Sequence, residues 1–542
     1  MAIRLLACAL TCSIGLVGCS FDGLYGVNVD QVSPGDSDDP GDSDAPGDFG
    51  QGDSTGPPPP PPPPSDCPVA TDSIGEGWVS DLGGNIYASD VVVDEHTGNL
   101  FITGVLEGTV VLGGQPLTSE GYFSCFLASF RGEDGAFRWA KVIADANDWY
   151  WHGHQLAVDN DGNLAIAGAF GGTVDLGGGP LETPEGYGQF VASFDENGNH
   201  RWSRAMTAPD WYWNWGRGGD RLALDVDESG NVYRVGIFGG TLDLGDSTTV
   251  TSATGYGYFL ASFSHHDGSV RWARGFEMEG DPTVVGWDVW WWQGASLAID
   301  TSDNVYLVGR FWENLDLGSV QLGTGDTHHT FLASVRGADG VTQWGRSFET
   351  GWGTPGVEPY YWGWGGGAVA ADSDGQIYLS GTFAETIDLG GGVLTATTPG
   401  FDNQHLVDGF LASFDSDGSH RWSQIHPGLF DWWWKASWGD QWWGGHELAT
   451  DPAGNVYFLE FEEDLPEIYV TSINSNGAPR WSHRFAAGEY PWATGLAVGC
   501  DGVWTVGFFE NGTGLIIGEQ TMDSLPQENT WVRSFLVKLG DW

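Results

Sequence analysis

A Trp-bearing segment that returns seven times, short apolar runs split by Asn, Asp and Gly turns, and no apolar stretch long enough at helical spacing predict an all-β chain. The expected architecture is a seven-bladed β-propeller of four-stranded antiparallel blades, closed by an N-terminal strand and preceded by a disordered tether. The tryptophans are Trp78, Trp139, Trp202, Trp272, Trp344, Trp422 and Trp481. The copies start at Asp94, Asp159, Asp227, Asp300, Asp372, Asp451 and, with the acid lost, Gly499, about 68 residues apart on average. That spacing fits one supersecondary unit with generous loops rather than a whole domain.

The second copy is the clearest. Leu156 to Asp159 is an inner strand, Asp161 to Asn163 a turn, and an apolar run to Gly168 a second strand. Gly172 to Gly177 follows, then a third strand at Phe190 to Phe194, a turn at Gly198, and an outer strand with Arg201 and Trp202. At the ends the pattern is offset. Trp78 is an outer-strand residue with no inner strands before it, and the last unit lacks an outer strand after Phe535 to Leu539. A strand at Trp78 would complete that last blade and remove its open edge.

The segments Leu222 to Gly245, Phe259 to Phe263 and Arg271 with Trp272 make residues from about 75 to 542 resemble the bacterial SBBP-type β-propeller repeats. The Asp, Gly and Trp around the third-to-fourth strand turn are also similar to quinoprotein-type blades. The resemblance implies the fold and little about activity. The chain departs from the pattern in its sixth unit, where Phe461 to Leu465 replaces the Gly, Thr, Asp, Leu, Gly segment, and in its Trp clusters.

Ahead of the repeats, Arg4 and the apolar run Leu5 to Leu16 read as a lipoprotein signal peptide over 1–18, and Leu16 to Cys19 resembles a bacterial lipobox. Lipidation of Cys19 would anchor the exported chain to the bacterial cell envelope by acyl groups rather than a spanning helix, and Ser20 fits outer-membrane sorting. Residues 19–66 are an Asp/Gly/Pro-rich tether with little to build a core from. Its eight prolines, Pro57 to Pro64, form a stiff spacer of roughly 25 Å. Residues 67–542 are the propeller.

With 73 acids against 20 bases, the formal charge of -53 makes nucleic acid and anionic lipid poor partners, so membrane attachment is expected through the lipid anchor only. Export permits disulfides, and Cys67 with Cys500 is the candidate pair near the ring closure.

Six connections from one unit's outer strand to the next unit's inner strand carry an acid followed by aromatics. They are Asp148 with Trp149, Tyr150 and Trp151; Asp210 with Trp211, Tyr212 and Trp213; and Asp288 with Trp290, Trp291 and Trp292. The others are Glu358 with Tyr360, Tyr361 and Trp362; Asp431 with Trp432, Trp433 and Trp434; and Glu489 with Tyr490 and Trp492. Because antiparallel strands alternate direction, all six connections leave from one face. Nineteen of the thirty tryptophans lie in them, too much apolar area to stay wholly exposed. Two readings stand: an apolar cap over the channel, or a binding face where indoles stack on a sugar and the acids accept from its hydroxyls.

Other patterns are weaker. His152, His154 and His446 could meet over the channel as metal ligands, but they form no closed ligand set. Asp159, Asp161 and Asn163 resemble the start of a calcium loop, yet no Glu stands at the twelfth position, which favours a hairpin turn. The turn acids Asp175, Asp243, Asp316 and Asp388 read as structural. No Ser nucleophile elbow, phosphate loop or Cys and His pair is found, and no cofactor is expected. Three function classes follow: a glycan-binding module, a protein scaffold in envelope assembly, and a propeller enzyme, either a polysaccharide hydrolase or lyase or a quinoprotein-like dehydrogenase.

Overall fold

In the computed structural model the described residues are 77–146, 155–208, 223–279, 295–323, 327–351, 367–399, 405–427, 447–462, 467–487, 491–510, 514–517, 520–522 and 532–539. All fall in the compact unit Pro62–Trp542, and among them every regular element is a strand. Among the described residues no helix is long and apolar enough to cross a membrane.

The recurring sheet has four antiparallel strands, inner to outer in chain order. In the first unit they are Ile86–Asp94, Asn99–Leu106, Phe123–Arg131 and Phe137–Ala146. In the second they are Gln155–Val158, Leu164–Asp175, Pro180–Phe194 and His200–Thr207. The third has Leu224–Val226, Val232–Asp243, Thr249–Phe263 and Val270–Glu279. The fourth has Ser296–Ile299, Asn304–Trp312, His328–Arg336 and Thr342–Glu349. The fifth has Ala368–Ala371, Ile377–Ala384, Leu406–Phe414 and His420–Ile425, and the sixth Leu448–Thr450, Val456–Glu462, Glu467–Ile473 and Pro479–Ala487. The last sheet orders Pro491–Gly499, Gly502–Glu510 and Val532–Leu539, and its outer strand is Trp78–Gly84, with Trp78 opposite Lys538 and Val79 opposite Val537.

Third strands such as Phe123–Arg131 and His328–Arg336 are buried at nearly every position because both faces of the sheet are covered. Side chains alternate along a strand, so Phe126, Ala128 and Phe130 enter a core shared with Trp504, Val506 and Leu536 of the last sheet. Their neighbours Cys125 and Leu127 enter a core shared with Leu156, Leu164 and Ile166 of the second unit. The same division recurs along the chain, and the inner strands of consecutive units touch in chain order, with Ile86–Asp94 against Pro491–Gly499.

Six of the seven outer-strand tryptophans are fixed to the next unit by their ring N–H. Trp139, Trp202, Trp272, Trp344 and Trp422 donate Nε1–H to the carbonyls of Glu196, His265, Gly337, Ser416 and Ser475, and Trp78 does the same to Gly132. Under each ring lies a left-handed turn glycine: Gly135, Gly198, Gly268, Gly340, Gly418 and Gly477, where an added Cβ would meet the indole at 2.4–3.0 Å.

The four-strand expectation needs one addition. Between second and third strands the chain makes an extra hairpin, as in Thr109–Leu112 with Gln115–Thr118, where Thr109 and Val111 point out and Val110 and Leu112 are buried. The expected turn acids cap such hairpins: Asp175 accepts from Gly177 N and Gly179 N, and Asp388 from Gly390 N and Gly392 N. The hairpin of one unit extends the outer strand of the unit before it, as Asn314–Asp316 does on Val270–Glu279. The run Asp159 to Asn163 is a hairpin turn, with Asp159 Oδ1 accepting from the backbone N–H of Asp161 and Asn163.

Candidate functional site

Every inner strand is entered from a unit-to-unit connection, so the aromatic segments all adjoin the starts of the inner strands. Of the expected ligand-binding residues, Trp492 is described. Asp148, Trp149, Trp151, Asp210, Trp211, Trp213, Asp288, Trp290, Trp291, Trp292, Tyr360, Trp362, Asp431, Trp432, Trp433 and Trp434 lie outside the described residues, as do Cys19, Cys67 and the three histidines. Cys500 is disulfide-bonded, and Cys125 is free and buried.

Trp492 sits at the start of the last inner strand and stacks on Phe508, with centroids 5.1 Å apart and planes at 29°. Tyr87 meets Phe508 edge-on at 5.7 Å and Phe123 at 6.0 Å, and Tyr122 meets Phe123 at 4.9 Å. A continuous line of rings thus crosses from the last sheet to the first unit at the connection end. Its outer member, Tyr122, is 40% exposed.

The same inner strands hold carboxylates that the sequence reading passed over. Asp90 Oδ2 accepts from Leu156 N of the neighbouring inner strand at 2.8 Å, and Oδ1 from Val91 N at 2.7 Å. Burial, followed by the charge of Glu447, holds its carboxyl well above the usual carboxylate range. At Gly495, on the last unit's inner strand, an added Cβ would come within 2.9 Å of Asp90 Cα and Val91 N. Asp225 accepts from Val226 N and from Ile299 N of the next unit, and burial pushes it up to about 7. Asp90 and Asp225 keep some accessible area yet are strongly desolvated, as side chains in a narrow crevice are. Their signal in the sequence was an acid interrupting an apolar inner-strand run, Ser89 to Val93 and Leu222 to Val226. Each caps a backbone N–H on a strand edge, where an Asp side chain competes well as an acceptor. Among the described residues no group of three or more His, Cys, Asp or Glu could hold a metal.

No family model matches the chain, and no curated protein does. Similar solved structures are β-propeller proteins. BamB from Moraxella catarrhalis is 10% identical with a TM-score of 0.35, covering 86% of this chain and 99% of its own. The quinohemoprotein alcohol dehydrogenase ADHIIG from Pseudomonas putida HK5 is 11% identical with a TM-score of 0.37, covering 87% and 77%. The acylaminoacyl peptidase of Pyrococcus horikoshii is 9% identical with a TM-score of 0.38, covering 81% and 52%. At these values the likeness carries no argument about function.

Proposed function

We propose that residues 67–542 form a closed seven-bladed propeller of SBBP-repeat type, displayed at the bacterial cell envelope by a lipid on Cys19 and the tether over 19–66, and that its connection face binds a glycan. Closure is supported by Trp78–Gly84 completing the last sheet and by the core that joins that sheet to the first unit. The observation that carries the binding reading is the recurrence of an acid with aromatics in six connections, all adjoining the inner-strand ends where Asp90, Asp225 and Glu447 stand. Packing alone needs apolar bulk and no acid beside it. Aromatic rings supply the stacking surface and carboxylates the hydroxyl acceptors that sugar recognition requires. The pairing of Cys67 with Cys500 belongs to the same proposal, as a staple at the closure.

A second reading is favoured by one observation. Asp90, its carboxyl held well above the usual carboxylate range by burial and then by the charge of Glu447, has the environment of a general acid, which is what a polysaccharide hydrolase built on this face would use.

The test uses the detergent-solubilised full chain on a glycan array, with Trp149, Trp211 and Trp433 replaced singly by Ala. Binding predicts that at least one change lowers affinity while the melting temperature stays put. If the rings only pack, each change costs about 3–5 kcal/mol of stability. Uniform destabilisation with no tryptophan-fluorescence response to any glycan refutes the binding face.

A further inference from the structure

The apolar cores between neighbouring units are unequal. Among the described residues, six of them hold thirteen to twenty buried side chains each, the core between the last sheet and the first unit included. The core between the fifth and sixth units holds five: Tyr378, Leu411, Val456, Phe458 and Ile473. Tyr378 and Val456 stand at or near the starts of their second strands, so this small core fills the end of the interface away from the aromatic connections. At that end the Tyr378 hydroxyl reaches Gly454 O at 3.2 Å, and Thr450 Oγ1 donates to Ala371 O at 2.9 Å.

The connection end of the same interface is polar, because the two units depart from the repeat at matching places. Six second strands carry a glycine opposite a third-strand Phe: Gly104, Gly168, Gly236, Gly309, Gly381 and Gly507. The sixth unit has Glu460 there, opposite Tyr469. Six outer strands bury an apolar residue four places after the Trp, namely Leu82, Ile143, Met206, Phe276, Phe348 and Phe485, whereas the fifth unit has His426. The two exceptions meet: Glu460 Oε1 lies 3.3 Å from His426 Nδ1, and Oε2 accepts from Thr471 Oγ1 at 2.6 Å. Their side chains are 18% and 19% exposed. Val456–Glu462 and Glu467–Ile473 pair to their tips, with Glu462 opposite Glu467, so residues 463–466 are too few for the extra hairpin of the other units. Among the described residues nothing extends the outer strand His420–Ile425, and Pro427 stands where Thr207 and Glu277 pair with the next unit's hairpin. Ser380 and Thr382 share the strand face of Tyr378. Thr382 is buried, and its Oγ1 has no hydrogen-bond partner among the described residues.

We propose that the contact between the fifth and sixth units is a seam, where the propeller parts at its connection end while the other interfaces, the closure included, stay shut. Two sheets packed face to face are held by apolar burial, which scales with the area removed from water. A buried polar or charged pair roughly breaks even against apolar side chains of the same volume, and a buried hydroxyl without a partner costs stability. The seam therefore has the least to hold it, and the small core around Tyr378 is its hinge. Parting widens the face from which the aromatic segments leave, at an interface whose polar floor tolerates water. The proposal rests on the closed-ring reading above.

The experiment is labelling of the folded full chain with N-ethylmaleimide, read peptide by peptide in a mass spectrometer. Ser380→Cys puts a thiol in the seam, and Val506→Cys puts one at the same place in the closure, since each residue precedes the glycine opposite the Phe. Both positions are fully buried, and the native Cys125, between the first and second units, reports global unfolding in the same molecule. The thiol of Ser380→Cys should react at least about tenfold faster than that of Val506→Cys, because local openings differ widely in free energy within one fold. Adding Thr382→Val, which removes the unpartnered hydroxyl at constant shape, should slow the seam thiol several-fold and leave Cys125 unchanged. Equally slow reaction at both introduced thiols overturns the seam and leaves the closed ring standing. Faster reaction at Val506→Cys overturns both, because the ring then parts at its ends. A seam thiol whose rate ignores Thr382→Val also overturns the proposal, since its exposure would not come from parting of this interface.

Discussion

Gly340→Ala tests the latch that ties each unit to the next. Gly340 has φ +71°, and a Cβ there would lie 2.6 Å from Trp272 Cε3, 2.7 Å from Cζ3 and 2.9 Å from Arg274 Cγ. The ring cannot swing aside freely, because Trp272 is 8% exposed and its Nε1–H is held by Gly337 O at 2.8 Å. The left-handed backbone costs an Ala about 1–2 kcal/mol, and the overpacking adds about 1–3 kcal/mol. Gly114 supplies the control: its φ is +84° and nothing lies within 4 Å of its Cβ position, so Gly114→Ala bears the backbone cost alone. Guanidinium unfolding of the two variants should therefore differ by about 1–3 kcal/mol at equal m-value. Equal losses would show that the indole yields without cost, and the latch would contribute nothing.

Removing residues 66–84 should lower the melting temperature, since Val532–Leu539 then becomes an open edge and Arg533 loses Asp81; a truncation melting like the full chain refutes the closure. Asp225 rises from 3.8 to about 7 on folding, so between those values the folded state binds the extra proton and stability falls as pH rises through the window. Asp225→Asn should flatten that decline in a melting series from pH 4 to 7, and an unchanged slope removes Asp225 as its source. Cys19→Ala should release the protein from the membrane fraction, and retention after a high-salt wash would mean another attachment.

The repeat, the strand order and the pairing of the Trp78 strand with the last sheet were legible in the sequence because each is written in local periodicity. The Trp near the start of each outer strand, the Asp-led hairpin turns and the stray outer-strand residue Trp78 each depend on neighbours a few residues away. The hairpins at the second-to-third connections were less legible. Segments such as Thr109–Leu112 are four residues long, and their pairing depends on a turn of two glycines, Gly113 and Gly114, rather than on a longer apolar run.

The sequence by itself determined the all-β repeat and which acids and aromatics return with it. Only the tertiary structure decided which inner-strand acids are desolvated. Asp90 is separated from Leu156 by a whole unit and from Glu447 by most of the chain, yet its carboxyl answers to both. The physical reason is that strand propensity and turn chemistry act over a few residues, whereas desolvation, charge coupling and packing volume depend on whatever the fold brings alongside.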